Sequence, residues 1–434
     1  MKTQKKSSVK TIKKTSVTRK PIPPKPNAMK TSSAKPTTRR VTTTTSTTKK
    51  TTKKEIKQPT PLKTTTRTTM KSTTKSNVKR TDITQVIPPY LIDSSIHIYV
   101  PKNYHQKITK IFGGISAKTG IKCLVSYRSP IKNRIGINFY EISKGYNKLI
   151  ISHNKNVPTE VHLRKSEYQN MARLLFYIGL SLALIPEVSR LDSFRYVKIN
   201  YDNIKDNYKK YYIRDQRQFI YAFTDFNFGS AMLSDQLFGS IDGKSPTYTF
   251  IDYYNSYQKL YDVKKTFSHN DYKILRDLYR SNTCSNKKFW CENGGYPDEL
   301  CNKCICPSYF QGTRCEEIKN NSGSCGTQRD FEATKELDFI LYKNLNGECY
   351  YTIRTNHFKK IKVIVETLIM PNTKCSTDDS HLGMLYRYDK GVEPFTICRN
   401  TTSLEFSATS SEVYIHFKIT KGPNLLVVSF QEVD

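Results

Sequence analysis

Histidine and cysteine are the residues whose spacing could give this chain metal or redox chemistry. The 434-residue sequence contains eight histidines, and no two of them are three or four residues apart. A helix therefore cannot place two imidazoles one turn apart, as zinc-binding helices do. Ligation from strands by His153 and His162 with a carboxylate stays open. The histidines are His97, His105, His153, His162, His269, His357, His381 and His416.

The cysteines point to an oxidising compartment. All eleven follow residue 122, and ten of them lie between residues 284 and 398. Such density is typical of a disulfide framework, which does not persist in a reducing cytosol. We therefore expect a secreted protein, although residues 1–10 show no apolar signal core. Cys123 is the odd cysteine, expected to be a buried free thiol, with an intermolecular bridge as the alternative.

The first 80 residues are far more basic than the rest of the chain. Residues 1–80 hold 24 Lys and Arg against the single acidic residue Glu55, and they hold no Phe, Tyr or Trp. A segment so poor in apolar side chains cannot offset its ordering entropy, so we predict a disordered tail over residues 1–83. Three roles stay open: a plain solvated extension, a polyanion-binding arm or an O-glycosylated Thr-rich stalk. The absence of aromatic residues argues against reading of nucleic-acid bases.

Several elements are predicted beyond the tail. Strands are indicated near Val86–Asp93, at Ser95–Val100 and at Ile135–Ile142, and the apolar spacing over Tyr104–Thr119 predicts a helix. The apolar run 174–186 predicts a buried core helix, since it is too short to span a bilayer. No transmembrane segment is predicted.

Residues 186–204 resemble the stretch that follows the zinc-binding helix of astacin metalloproteases. That family's helix carries the pattern His-Glu-x-x-His-x-x-Gly-x-x-His-Glu. The resemblance covers residues 84–283, the astacin-like domain, and implies an α+β metzincin-type fold. The matching positions are Glu187, Arg190, Asp192, Tyr196, Val197 and Asn200.

The resemblance assigns the three zinc-ligand positions to Phe176, Leu180 and Pro186. It assigns the general-base position to Tyr177 and the turn-glycine position to Ala183. Zinc takes nitrogen, sulfur or oxygen donors, which Phe, Leu and Pro side chains lack. We therefore predict that the family cofactor zinc is not bound and that the domain is catalytically inactive.

A second family turn is also altered. Phe228–Ser234 resembles the Ser-x-Met-His-Tyr turn, in which a Met lies beneath the metal and a Tyr lies near the substrate. Met232 is kept, whereas Ser234 stands at the Tyr position. Glu187, Arg190, Asp192 and Met232 are expected to be structural. In the family the glutamate anchors the mature N-terminus.

Residues 284–317 resemble an EGF-like module. Sequence alone permits fifteen pairings of its six cysteines. The resemblance implies Cys284 with Cys301, Cys291 with Cys304, and Cys306 with Cys315. A zinc site at Cys301, Cys304 and Cys306 is the alternative.

Residues 324–434 resemble a CUB domain, which is a β-sandwich. The resemblance implies disulfides joining Cys325 with Cys349 and Cys375 with Cys398. Strand-like alternation runs through 361–366 and 411–417. No calcium site is predicted. Asn320 and Asn400 head N-glycosylation sequons, which suit a secreted surface.

The domain order resembles the multidomain astacins of nematodes. The first hypothesis is a secreted, catalytically inactive homologue that binds an extracellular protein or peptide. One alternative is an active zinc metalloendopeptidase with unconventional ligands. The other is a polyanion-binding matrix protein whose contact is the basic tail, residues 1–80.

Overall fold

The computed structural model describes residue 90 and residues 95–217, 220–251, 266–284, 289–371, 373, 379–420 and 422–434. The predicted tail, Cys375 and most of the strand expected near Val86–Asp93 lie outside these residues.

A five-stranded sheet with the strand order β2-β1-β3-β5-β4 opens the astacin-like domain. All neighbours in it are parallel except β4, which is antiparallel to β5. Alternating apolar residues such as Ile98, Phe139 and Val161 form its buried face, and Phe112 of the first helix contacts Phe139 there. The strands are β1 Ile96–Tyr99, β2 Cys123–Ser126, β3 Ile137–Ile142, β4 Lys148–Ile150 and β5 Thr159–Arg164.

Helices carry the rest of this domain. The predicted first helix is observed one residue shorter, as α1, and ends at Gly120 in the left-handed conformation with φ 72°. The predicted core helix begins earlier than expected, at Met171, and ends at Ser181. A two-stranded antiparallel sheet pairs β6 Val197–Ile199 with β7 Tyr248–Phe250. The helices are α1 His105–Thr119, α2 Lys165–Gln169, α3 Met171–Ser181, α4 Asp206–Lys209 and α5 His269–Arg280.

The EGF-like module consists of two small antiparallel ribbons held by disulfides. Its strands are short because the covalent framework, rather than a large apolar core, fixes the chain path. They are β8 Tyr296–Pro297, β9 Cys304–Ile305, β10 Phe310–Gln311 and β11 Glu317–Ile318.

The CUB-like domain has two sheets whose facing residues form one core. One sheet has the order β12-β15-β20-β17-β18, with β13 added beside β15, and the other has the order β14-β21-β16-β19. The predicted α+β architecture with a C-terminal β-sandwich is thus confirmed. The strands are β12 Ser322–Ser324, β13 Asp330–Glu332, β14 Asp338–Lys343, β15 Asn346–Arg354, β16 Lys360–Ile369, β17 His381–Leu385, β18 Phe395–Ile397, β19 Thr401–Phe406, β20 Glu412–Ile419 and β21 Leu425–Val433.

Candidate functional site

Helix α3 carries the first two positions that the resemblance assigns to zinc ligands. The Asn170 side chain caps its start by accepting a hydrogen bond from the Arg173 amide at 3.1 Å. Every residue from Leu174 to Ser181 is buried, so the helix is apolar all round, as expected for a helix inside a core. A family helix of this kind would instead present two imidazoles toward a cleft.

Phe176 lies inside an aromatic cluster. Its ring centroid is 4.9 Å from that of Phe238 and 6.1 Å from that of Tyr211, in edge-to-face arrangements. Only 1% of Phe176 is exposed. Aromatic pairs in this geometry add stabilisation beyond their buried area. The ring thus packs as a core side chain against other aromatic rings.

Leu180 follows Phe176 by four residues and is also buried. Close by, Gly179 accommodates the Met232 side chain, because a Cβ atom at Gly179 would lie 2.3 Å from the Met232 sulfur. The Glu187 amide donates to the Met232 carbonyl oxygen at 3.0 Å. Helix α3 and the methionine turn are therefore packed directly against each other, and the chain that joins them passes through the buried Pro186.

The chain leaves helix α3 through a turn that normally favours glycine. Ala183 has φ 67°, in the left-handed region. Its amide donates to the Leu180 carbonyl oxygen and the Leu184 amide donates to the Gly179 carbonyl oxygen, both at 3.0 Å. This is the Schellman arrangement, in which the left-handed position is usually glycine. Ala183 therefore holds a backbone conformation that usually favours glycine, at the position that the resemblance assigns to the turn glycine.

Tyr177 cannot serve as a general base near neutral pH. Burial, with the phenols of Tyr211 and Tyr208 nearby, raises its pKa well above the ordinary value. A phenol with a raised pKa stays protonated and accepts no proton from water. Ser234, at the family's Tyr position, is buried, and its carbonyl oxygen accepts from the Tyr248 hydroxyl at 2.6 Å.

Glu187, Arg190 and Asp192 form a local network. The Arg190 guanidinium donates to both carboxylate oxygens of Asp192, at 2.8 and 3.0 Å, and its Nε lies 3.6 Å from Glu187. The Asn227 amide donates to Glu187 at 3.2 Å. Burial raises the pKa of Glu187 to about 7, although Arg190 opposes the shift. These contacts hold the turn after helix α3 against the segment that leads to Met232.

The residues at the family's zinc positions do not fit zinc. Phe176, Leu180 and Pro186 present carbon atoms only, and a catalytic zinc needs three protein donors. Within the described ranges, no group of three or more His, Cys, Asp or Glu is arranged to hold a metal ion. His162 is instead paired with Glu160 at 3.1 Å.

The CUB-like domain contacts the astacin-like domain through charged residues that sequence reasoning missed. The Arg387 guanidinium donates to the Tyr196 hydroxyl at 2.9 Å and to the Phe226 carbonyl oxygen. Asp389 accepts from the Asn270 side chain at 2.8 Å and from the Asp225 amide at 3.0 Å. Arg387 and Asp389 are both nearly buried. Neither residue belongs to a motif, so nothing in the sequence marked them.

A cavity of about 520 Å³ opens where the three modules meet. Phe223 and Tyr388 line it and are 83% and 81% exposed. Charged groups of both signs, including Asp225, Lys273 and Lys390, line it as well. Three hydrogen bonds hold the Lys390 ammonium, and burial lowers its pKa to about 8.

Four disulfides occur among the described residues, and each joins a pair implied by the resemblance. They are Cys284–Cys301, Cys291–Cys304, Cys306–Cys315 and Cys325–Cys349. Cys398 is disulfide-bonded, whereas its implied partner Cys375 lies outside the described residues. With its cysteines paired, the alternative zinc site at Cys301, Cys304 and Cys306 has no thiolate to offer.

The remaining predicted sites lie at the surface or near it. Cys123 is a free thiol and is half-buried rather than buried, and burial is the main cause that raises its pKa to about 11. Asn320 and Asn400 are both exposed, and the Asn400 side-chain oxygen accepts from the Met370 amide at 2.9 Å. Among the described helices, none is long and apolar enough to cross a membrane.

The chain thus combines an α+β domain with a disulfide-rich module and a β-sandwich. Residues 84–280 match the family model of astacin, which is a peptidase family. These residues are therefore an astacin-family domain, as the sequence resemblance predicted.

Nematode zinc metalloproteinases are similar to this chain. Zinc metalloproteinase dpy-31 of Haemonchus contortus is 26% identical over 263 residues, which are 56% of this chain and 45% of that protein. Zinc metalloproteinase dpy-31 of Caenorhabditis elegans is 32% identical over 153 residues, 34% of this chain and 25% of that protein. The chain thus spans less than half of the length of these relatives.

Two solved structures are also similar. High choriolytic enzyme 1, a hatching enzyme zinc-protease from Oryzias latipes, has a TM-score of 0.33 and 19% identity, covering 43% of this chain and 88% of that chain. The CUB1-EGF-CUB2 domain of human MASP-1/3 has a TM-score of 0.22 and 14% identity, covering 34% of this chain and 57% of that chain.

Proposed function

We propose that this chain is a secreted, catalytically inactive member of the astacin family that acts by binding an extracellular protein or peptide. The observation that carries the proposal is the packing of Phe176. Its ring is in edge-to-face contact with Phe238 and Tyr211, at a position that the sequence resemblance assigns to a zinc ligand. Without three donor side chains no metal-bound water is activated, and hydrolysis loses its nucleophile.

Inactivity is further supported by the groups around that position. The phenol of Tyr177 stays protonated, so the general base is missing together with the ligands. The rival is an active zinc metalloendopeptidase. The names of the nematode relatives favour it, but it requires a donor set elsewhere in the chain.

Secretion is supported by the disulfides. Bonds such as Cys284–Cys301 and Cys325–Cys349 join short loops and are stable in an oxidising compartment. The exposed Asn320 and Asn400 are then expected to carry glycans.

We assign the binding role to the cavity where the three modules meet. Large exposed aromatic side chains are common anchors of protein recognition, and Phe223 and Tyr388 both belong to the lining of this cavity. The neighbouring Asp225 and Lys273 can pair with polar groups of an extended peptide. The connection through Arg387 and Asp389 keeps this lining in place without ligand.

Two assays test this function. A quenched-fluorescence peptide library, read with and without a zinc chelator beside an active astacin-family enzyme, is expected to show no cleavage by this chain. The same library, displayed for binding, is expected to yield peptides that bind the parent chain but not F223A/Y388A. The control I213A should still bind them, since Ile213 is exposed outside the cavity lining. Chelator-sensitive cleavage contradicts the inactive assignment. Equal binding by both variants contradicts the cavity.

The second candidate function is polyanion binding through residues 1–80. Their net charge of +23, from 24 basic residues and one acidic residue, favours it, since each neutralised charge would make binding fall with salt. Loss of salt-sensitive binding after removal of these residues is the expected result.

A further inference from the structure

Positive charge outside the tail is concentrated in one part of the astacin-like domain. Residues 95–170 contain thirteen Lys and Arg against three Asp and Glu, a net charge of +10. Residues 171–434 contain 34 against 31, a net charge of only +3. The strongly basic segment includes the whole five-stranded sheet.

The sheet has an outer face that the domain core does not cover. Ile98, Phe139 and Val161 point into the core, so their strand neighbours point outward. A row of rings crosses three strands on this outer face. The Tyr99 and Tyr140 centroids lie 6.0 Å apart, and Tyr140 stacks on His162 at 4.9 Å.

Cationic side chains flank this row. Lys148 lies opposite His162 in the pairing of β4 with β5 and is exposed. On the other side, the exposed Arg134 donates to the His97 ring nitrogen at 3.4 Å. Lys132 is exposed beside Ile131, whose backbone is hydrogen-bonded to the Asn138 side chain of β3.

These cations are not neutralised locally. Across the described ranges, no carboxylate lies within ion-pair distance of Lys132, Arg134 or Lys148. Glu160 is the acidic residue on this face of β5, and its carboxylate lies 3.1 Å from the His162 ring. Burial is the main cause that lowers the pKa of Lys210, and the positive charge of Lys148 lowers it further. Like charges held close without a counterion create a surface that attracts a polyanion.

We propose that this outer face, the basic sheet face defined by Tyr99, Lys132, Arg134, Tyr140 and Lys148, binds a linear sulfated polysaccharide. Its sulfates would pair with the Lys and Arg side chains, and a sugar ring would lie on the Tyr99–Tyr140 row. Five strands spaced about 4.8 Å apart give a face some 19 Å wide, enough for an oligosaccharide. The choice of a sulfated glycan over a nucleic acid rests on the secretion proposed above from the disulfides, since such glycans are the abundant polyanions outside the cell.

This site is separate from the tail and from the peptide cavity. Polyanion binding by residues 1–80 would depend on charge in a segment that contains no aromatic residue, whereas the basic sheet face combines charge with a row of rings at defined distances. The assignment does not depend on whether the domain is inactive.

Lysine footprinting on the full chain tests the location. Acetylation is carried out with and without a heparin oligosaccharide, and modified lysines are identified by mass spectrometry. Lys132 and Lys148 are expected to be protected, and the exposed Lys343 and Lys360 of the CUB-like domain are expected to react fully. Protection confined to lysines of residues 1–80 overturns the proposal.

Matched variants of the full chain test the energetics. K132Q/R134Q/K148Q is compared with K335Q/K343Q/K360Q, which removes the same charge from exposed positions of the CUB-like domain. The first variant is expected to bind heparin at least about tenfold more weakly, while the second binds as the parent does. The slope of log affinity against log salt concentration should also fall in magnitude by roughly two to three in the first variant. Equal losses in both variants would mean that only total charge matters and would overturn the proposal. Y99A/Y140F, compared with Y99F/Y140F, then isolates the ring at Tyr99.

Discussion

The Arg387 guanidinium donates to the Tyr196 hydroxyl at 2.9 Å and so joins the CUB-like domain to the astacin-like domain. Its carbon centre also lies 4.8 Å from the centroid of the same ring. Tyr196 is one of the positions that match the astacin family, so a family residue of the first domain is in contact with the last.

Replacing Arg387 by alanine is expected to loosen this connection. R387A removes the donors to the Tyr196 hydroxyl and to the carbonyl oxygen of the buried Phe226, at an expected cost of about 1–3 kcal/mol. Thermal unfolding should shift to lower temperature, and limited proteolysis should separate the two domains sooner. R399A, at an exposed position, is the control and should behave as the parent does. Unchanged proteolysis of R387A would contradict the connection.

Ala183 offers a stabilising substitution. In A183G the left-handed residue of the Schellman turn becomes glycine, which relieves a conformational cost of about 1 kcal/mol. The unfolding midpoint of the astacin-like domain should rise. A117G, in the last turns of helix α1, is the opposite control and should lower stability by up to about 1 kcal/mol. Because the Ala183 methyl group is buried, its loss offsets part of this gain by up to about 0.8 kcal/mol, so a destabilisation larger than that would contradict the left-handed turn.

Phe176 should behave as a core residue and not as a vacant ligand position. F176A opens a cavity among Phe238, Tyr211 and Tyr177, at an expected cost of about 3–5 kcal/mol. F176H restores the family's residue type but buries an imidazole among carbon atoms, so it should also destabilise and gain nothing from added zinc. F358A, at an exposed side chain, is the control for chemical denaturation. Stabilisation of F176H by zinc would contradict this packing.

Glu187 should make stability fall as pH rises. Its pKa is about 7 in the folded chain and near 4.5 when unfolded, so the folded state holds an extra proton between these values. The contribution of Glu187 to the free energy of unfolding therefore falls as the pH rises from 4.5 to 7, by at most about 1.4 kcal/mol per pH unit. E187Q should flatten the profile in that window when denaturant midpoints are compared across pH. Parallel profiles for the parent and E187Q would contradict the raised pKa.

Local pattern and family resemblance were enough to predict much of this molecule. Helix α1 and the strands of the sandwich have clear apolar spacing, and the disulfides follow modules whose cysteine spacing is distinctive. The contact of Arg387 with Tyr196 was not predictable, because it joins residues far apart in sequence through polar side chains that match no motif. The outward row formed by Tyr99 and Tyr140 likewise depends on strand order, which a single sequence does not determine.

Zinc stoichiometry tests the central claim most directly. The full chain, secreted with its disulfides intact and equilibrated with zinc, is separated from free metal by gel filtration and measured by elemental mass spectrometry beside an active astacin-family enzyme. Because Phe176, Leu180 and Pro186 provide no donor atoms, zinc should stay at background level, and neither zinc nor a chelator should move the unfolding midpoint. About one zinc per chain, together with a chelator-sensitive midpoint, would contradict the account and require ligands elsewhere in the chain.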